Sequence, residues 1–210
     1  MSKLNSILRL QSHENRTPTG RRSATATRKL VNYLAYGRGR PAVQEQREPR
    51  GQWLDQTGRV LPHEQVLAWV TNEGKAQPFT HQFILSVKYA ELAEAAYGRV
   101  LSLDNPYFQE WRLLVHRDTR YPHAHVVTFA EQEIRIKSPQ FQAWALAVRQ
   151  ELEREQQAVL EQQLEAGLQH GLQPQSQPAL VEGQSLTAPS ARQTVRQQEV
   201  DLDLEWEVDL

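Results

Sequence analysis

The residues with the clearest chemical capacity lie in one short run, His116-Arg-Asp118-Thr-Arg-Tyr-Pro-His123-Ala-His125. In a strand the side chains at i and i+2 leave the same face, so His123 and His125 stand side by side, about 6.6 Å apart along the backbone. If residues 118–121 form a four-residue hairpin connection, Arg117 pairs with Pro122 and His116 falls opposite His123. A cross-strand neighbour shares its face, which brings a third imidazole to the same point. Three neutral imidazoles suit a first-row divalent metal and leave coordination positions open for substrate oxygens. One H-x-H pair is commonplace in strands, and it is the third, facing histidine that makes a metal site the expectation. His13, His63, His81 and His170 show no comparable spacing and are expected to be structural or surface residues. The chain has no cysteine, which excludes disulfides, thiolate zinc sites and cysteine nucleophiles and leaves histidine, carboxylate, hydroxyl and phenol chemistry.

Strands must hold those histidines, and the sequence supplies them. WRLLVH (111–116) and PHAHVVTF (122–129) read as two strands around a polar connection, with EIRIK (133–137) as a third and FTHQFILSVK (79–88) as another. ATATRKLVNYLAYG reads as a helix with Ser23 as a possible cap, an apolar stripe at Ala26, Leu30, Tyr33 and Leu34, and a stop at Gly37. A turn at Gln56-Thr57-Gly58 precedes a helix opened by Pro62, with Val66, Leu67 and Val70 inward. YAELAEAAYGRVL reads as a third helix. A fourth begins at Pro139, with Phe141, Trp144, Ala145, Val148 and Leu152 on one face, and becomes glutamine-rich beyond Arg154. The expected fold is therefore α+β, an antiparallel sheet with flanking helices.

The chain's 210 residues, 39% hydrophobic and 23% charged, suffice for one core with some chain to spare. We expect a flexible N-terminus over 1–19, a packed domain over 20–165, and a low-complexity linker with a disordered acidic tail over 166–210. Charge is divided along the chain: residues 1–60 hold 12 Lys and Arg against 4 Asp and Glu, whereas residues 151–210 hold 3 against 12. A basic front end of this kind suits phosphate backbones. No apolar run approaches the roughly 18 residues of a membrane span, and residues 1–16 lack a signal peptide's apolar core. The expectation is a soluble cytoplasmic protein with no membrane partner.

The run from His116 to His125 has the form HxDxxxPHxH, and in this it resembles the third motif of conjugative relaxases and plasmid mobilisation nucleases, within the wider HUH endonuclease group. The resemblance covers about residues 20–150. GRRSATATRKLVNYLAYGRGR is similar to the family's first motif, a basic amphipathic helix carrying a tyrosine followed by Leu or Ile, and FILSVK to the strand ending in Ser that precedes the histidine motif. The resemblance implies a metal-dependent enzyme that nicks and rejoins single-stranded DNA at an origin of transfer. His116, His123 and His125 would hold a divalent metal, Mg²⁺ or Mn²⁺, against the scissile phosphate. Tyr33 would attack and form a 5′-phosphotyrosyl link, with Tyr36, one helical turn on, as the substitute. Asp118 would orient a histidine or help activate the phenol, although an aspartate in a turn also caps backbone locally. Arg21, Arg22, Arg28, Lys29, Arg38 and Arg40 would grip DNA phosphates.

Chain order favours the relaxase branch, since rolling-circle initiators carry their tyrosine on a helix after the histidine motif and the long helix from Pro139 has none. A histidine-triad nucleotide hydrolase needs a further alternating histidine where Tyr121 stands. Two alternatives stay open: a plasmid replication initiator with the same chemistry, and a non-catalytic DNA-binding mobilisation accessory protein. At the far end, apolar residues occupy every even position from Val200 to Leu210 and acids every odd one. A solvated acidic tail is one reading of this pattern; the other is a strand that docks on a sheet edge, either of a mobilisation accessory or coupling protein or of its own domain.

Overall fold

The computed structural model describes residues 5–39 and 47–171. Arg40 and the whole segment expected as linker terminus and acidic tail from residue 172 onward lie outside these residues. Six strands form one sheet: β1 (Ser6–Glu14), β2 (Trp53–Asp55), β3 (Val60–Leu61), β4 (Phe79–Val87), β5 (Trp111–His116) and β6 (His123–Ala130). Among the described residues four helices accompany them: α1 (Thr25–Tyr36), α2 (His63–Ala76), α3 (Glu94–Leu101) and α4 (Pro139–Gly171). The strand order is β1-β4-β6-β5-β2-β3 and every pairing is antiparallel. The α+β class with an antiparallel sheet is as the sequence predicts.

Alternation along the central strands divides their side chains between two cores. Leu114 of β5 and Val127 and Phe129 of β6 lie on one face, where they pack with Val31 and Leu34 of α1 and Val66 and Val70 of α2. Leu113, Val115, Ala124 and Val126 leave the other face and meet Tyr97, Val100 and Leu101 of α3 and Phe141, Trp144, Val148 and Leu152 of α4. A sheet buried on both sides explains why β4, β5 and β6 read as nearly continuous apolar runs. The α4 face is the one its spacing predicts, at i, i+3, i+7 and i+11.

Five sequence expectations are corrected. The inward face of α1 is Thr27, Val31, Leu34 and Ala35, not the expected stripe through Ala26, Leu30 and Tyr33, of which Ala26 and Tyr33 are exposed. Residues 6–14 are not a flexible terminus: they pair along their whole length with β4, from Ser6 opposite Val87 to Glu14 opposite Phe79. Leu8 and Leu10 pack against the core there, while Arg9 and Gln11 leave the other face exposed. Residues 133–137 form no strand. Both neighbours of β6 are already taken by β4 and β5, so the chain that follows it cannot extend the sheet there; Ile134 is buried and Ile136 is exposed. The third helix begins only at Glu94, because residues 89–93 form an irregular connection, and the fourth runs on to Gly171, past the expected domain end at 165.

Candidate metal centre

The β5–β6 register fixes the site. His116 lies opposite His123, Leu114 opposite His125, and on the other side of β6 Ile84 of β4 lies opposite His125. His116, His123 and His125 therefore share the face covered by α1 and α2. Their ring centroids are 5.2, 4.6 and 4.8 Å apart, and one ring nitrogen of each lies within 4.8 Å of the others. His116 and His125 are buried, at 1% and 8% exposure, and His123 is half-buried.

The nitrogen that each ring turns away from this point is held by a neighbour. His116 Nε2 donates to the Leu34 carbonyl of α1 at 2.8 Å, leaving Nδ1 free of its proton. The Nδ1 of His123 donates to the Tyr121 carbonyl at 3.1 Å. For His125, Nδ1 lies 3.0 Å from Nε2 of Gln82, a buried residue of β4. Such outer partners orient metal-ligating histidines and select their tautomers. Burial pushes His116 down to about 4 and His125 to about 2, with neighbouring histidines and the Arg50 charge adding to the effect. Both rings are therefore neutral at physiological pH, the form that ligates a cation. Fit to a divalent metal follows from this donor set: imidazoles with their second nitrogens held, and two of them uncharged by burial.

The bond from His116 to Leu34 also docks α1. A helix leaves its last four carbonyls without internal partners, and here each has found one. Gly37 donates to the Tyr33 carbonyl, His116 to Leu34, the Arg50 amide to Ala35, and the Arg47 guanidinium to Tyr36. Gly37 takes φ 75°, a conformation open to glycine at little cost. The segment carrying Arg50 lies against β5 so closely that a Cβ on Gly51 would sit 2.5 Å from the Val115 carbonyl oxygen. The negative end of the α1 dipole thus faces the histidines, an arrangement that favours a cation.

Tyr33 and Tyr36, both on α1, have different surroundings. Tyr33 is 42% exposed and adjoins Leu34, whose carbonyl holds His116. Tyr36 packs edge-on against His63 of α2 at 4.9 Å; burial, followed by the Glu64 charge, pushes its phenol up. Asp118 is engaged by Arg50 in a two-pronged pair of 2.7 and 2.9 Å, which holds its carboxyl below the usual range. It does not hold a histidine nitrogen; Leu34, Tyr121 and Gln82 do. Arg117 pairs with Glu91 and Glu94 and fixes the hairpin end to α3.

Arg21, Arg22, Arg28, Lys29 and Arg38 are all exposed, and no carboxylate among the described residues pairs with them. His13, His63 and His81 are structural as expected: they bond Thr27, Asn32 and Ser12 respectively. Sequence reasoning missed Gln82, Arg50 and the Leu34 carbonyl. Only Gln82 carried a signal, as a lone glutamine inside the apolar strand FTHQFILSV, where a buried amide requires a partner.

The buried histidines predict acid sensitivity. His81 and His116 are each held at about 4 by burial, below their ordinary 6.5. Between these values the unfolded chain binds protons that the folded chain refuses, so stability is full above pH 6.5 and falls as pH drops toward 4. His116 alone corresponds to about 3 kcal/mol across that window. Thermal melts should show Tm declining steadily from pH 7 to pH 4.5; a flat Tm would contradict the buried neutral histidines.

No protein-family model, curated protein or solved structure matches the chain.

Proposed function

We propose that the protein is a metal-dependent nickase and joining enzyme for single-stranded DNA, acting in the cytoplasm at a plasmid origin of transfer through a tyrosyl-DNA intermediate. The observation that carries this reading is the hydrogen bond from His116 to Leu34. It joins the three-histidine cluster to the helix that bears an exposed tyrosine one residue away. A bound Mg²⁺ or Mn²⁺ would withdraw charge from the non-bridging oxygens of a phosphate.

Tyr33 supplies the nucleophile in this reading. Its hydroxyl oxygen bonds to phosphorus as the bond from phosphorus to the 3′ oxygen breaks; the phenol gives up its proton and the departing 3′ oxygen takes one. The product is a 5′-phosphotyrosyl link with a free 3′-hydroxyl. Rejoining reverses the step, and a phenol, with an ordinary pKa of about 10, leaves more readily than an aliphatic alcohol. The ester bond is conserved throughout, so no high-energy cofactor is needed. Tyr36 is the weaker candidate because its ring is packed edge-on against His63 of α2, whereas Tyr33 is exposed. Asp118 and Arg50 act on the site by pinning the 47–51 segment beside β5 and the C-terminus of α1.

A 5′-labelled single strand from the DNA flanking its gene should be shortened with Mn²⁺ and stay intact with EDTA. Cleavage unaffected by EDTA would contradict the reading, and binding without any cleavage would favour a DNA-binding accessory role. The basic surface gives a second expectation. Each Lys or Arg that contacts phosphate releases condensed counterions, so neutralising Arg21, Arg22 and Arg28 should reduce the salt slope of single-strand binding by about 2. An unchanged slope would place the strand on another surface.

A further inference from the structure

We propose that Gln82 is a positioning residue that selects the tautomer of His125, and that it admits a divalent metal by a half-turn of its side-chain amide. The inference rests on the metal-site reading above. It concerns a residue of a different strand that no motif includes.

Gln82 lies on β4 opposite Val127, on the face it shares with His125 two residues along β6. It is buried, and its amide nitrogen is 3.0 Å from His125 Nδ1. An amide nitrogen only donates, so in this arrangement Nδ1 accepts and the ring proton sits on Nε2. That proton points at His123 Nε2, 3.1 Å away, and His123 passes its own Nδ1 proton to the Tyr121 carbonyl. The chain Gln82, His125, His123, Tyr121 is therefore complete, with one donor and one acceptor at every link. His116 stands outside it, already carrying its proton on Nε2 toward Leu34.

Ligation through His125 Nε2 requires that this nitrogen lose its proton. The ring stays neutral only if the proton moves to Nδ1, and Nδ1–H then needs an acceptor. Gln82 provides one when its amide rotates by half a turn and presents Oε1 in place of Nε2. His125 holds one proton before and after, and His116 and His123 need no change. A buried Nδ1–H without an acceptor would be costly, so a side chain lacking the oxygen opposes metal entry. Loss of such an outer partner typically weakens metal binding about tenfold to a hundredfold.

The test uses the full chain, with ¹⁵N NMR of the imidazoles and Mn²⁺ titration by EPR. In wild type with EDTA, His125 should carry its proton on Nε2; with Zn²⁺ as a diamagnetic probe, the proton should be on Nδ1. Gln82→Leu, similar in volume, should bind Mn²⁺ about tenfold or more weakly. Gln82→Glu, which offers only acceptors, should bind at least as tightly as wild type. An unchanged Mn²⁺ affinity in a folded Gln82→Leu variant would overturn the inference, as would the same His125 tautomer in both wild-type spectra. If Gln82→Leu does not fold, weaker binding by Gln82→Glu than by wild type would overturn it equally. Failure of wild type to bind Mn²⁺ or Zn²⁺ would instead remove the metal reading, and this inference with it.

Discussion

Tyr33→Phe should abolish the covalent protein–DNA adduct while leaving DNA affinity within about twofold of wild type, because only the attacking oxygen is lost. The ring is 42% exposed on α1 and the helix is held by other contacts. Val31, Leu34 and Ala35 face inward, and the last-turn carbonyls are capped by His116, Arg50 and Arg47. Removing one hydroxyl from an exposed ring should leave Tm almost unchanged. Gel analysis after SDS denaturation reads the adduct, and fluorescence anisotropy of a labelled strand reads affinity. Tyr36→Phe is the matched control. Its ring is packed edge-on against His63 of α2, away from the exposed position Tyr33 holds, so removal of its hydroxyl should leave the adduct in place. An adduct that survives in Tyr33→Phe and disappears in Tyr36→Phe would transfer the nucleophile to Tyr36.

His123→Ala should lower cleavage by about a thousandfold or more, the scale expected when a principal electrostatic stabiliser of the reacting phosphate is removed. His123 is the cleanest of the three histidines to change. It is half-buried at the start of β6, and its partners are the Tyr121 carbonyl, the Thr119 hydroxyl and the neighbouring rings. His125→Ala should abolish cleavage as well, but it also strands the Gln82 amide in a buried site, at a cost of about 1–3 kcal/mol. Replacing His116 would additionally uncap the Leu34 carbonyl and loosen α1. Mn²⁺ titration alongside each assay separates the causes: loss of metal and of cleavage together supports the site. Normal cleavage in both His123→Ala and His125→Ala would contradict it.

The histidine cluster was legible because strand period and hairpin length alone determine which residues face one another. His116 meets His123 once residues 118–121 are the connection, and that is the register observed. The helices around it were legible in part: the α4 stripe follows helical spacing and Gly37 and Pro139 mark a stop and a start, but on α1 the buried face is Thr27, Val31, Leu34 and Ala35, so the stripe expected through Ala26 and Tyr33 was misplaced. β1 was hidden because Leu8 and Leu10 lie between Ser6 and Ser12 on one face while Ile7 falls on the other with Arg9 and Gln11, which leaves a short, weak alternation. The opposite error arose at residues 133–137, where Ile134 and Ile136 alternate as in a strand but no adjacent sheet position is free. What surrounds the site depends on tertiary placement. Gln82 reaches His125 from a strand more than forty residues away in sequence, and Arg50 claims Asp118 across the chain. Spacing within the motif carries no trace of either contact.

The most direct measurement is whether the protein becomes covalently joined to DNA. Wild-type protein would be incubated with labelled single strands from the DNA flanking its gene and Mn²⁺, then denatured in SDS, digested and mapped by mass spectrometry. The account predicts an SDS-resistant adduct that forms only without chelator and places a nucleotide on the peptide containing Tyr33. Strands cleaved with no protein attached, or attached at a residue other than a tyrosine of α1, would contradict it.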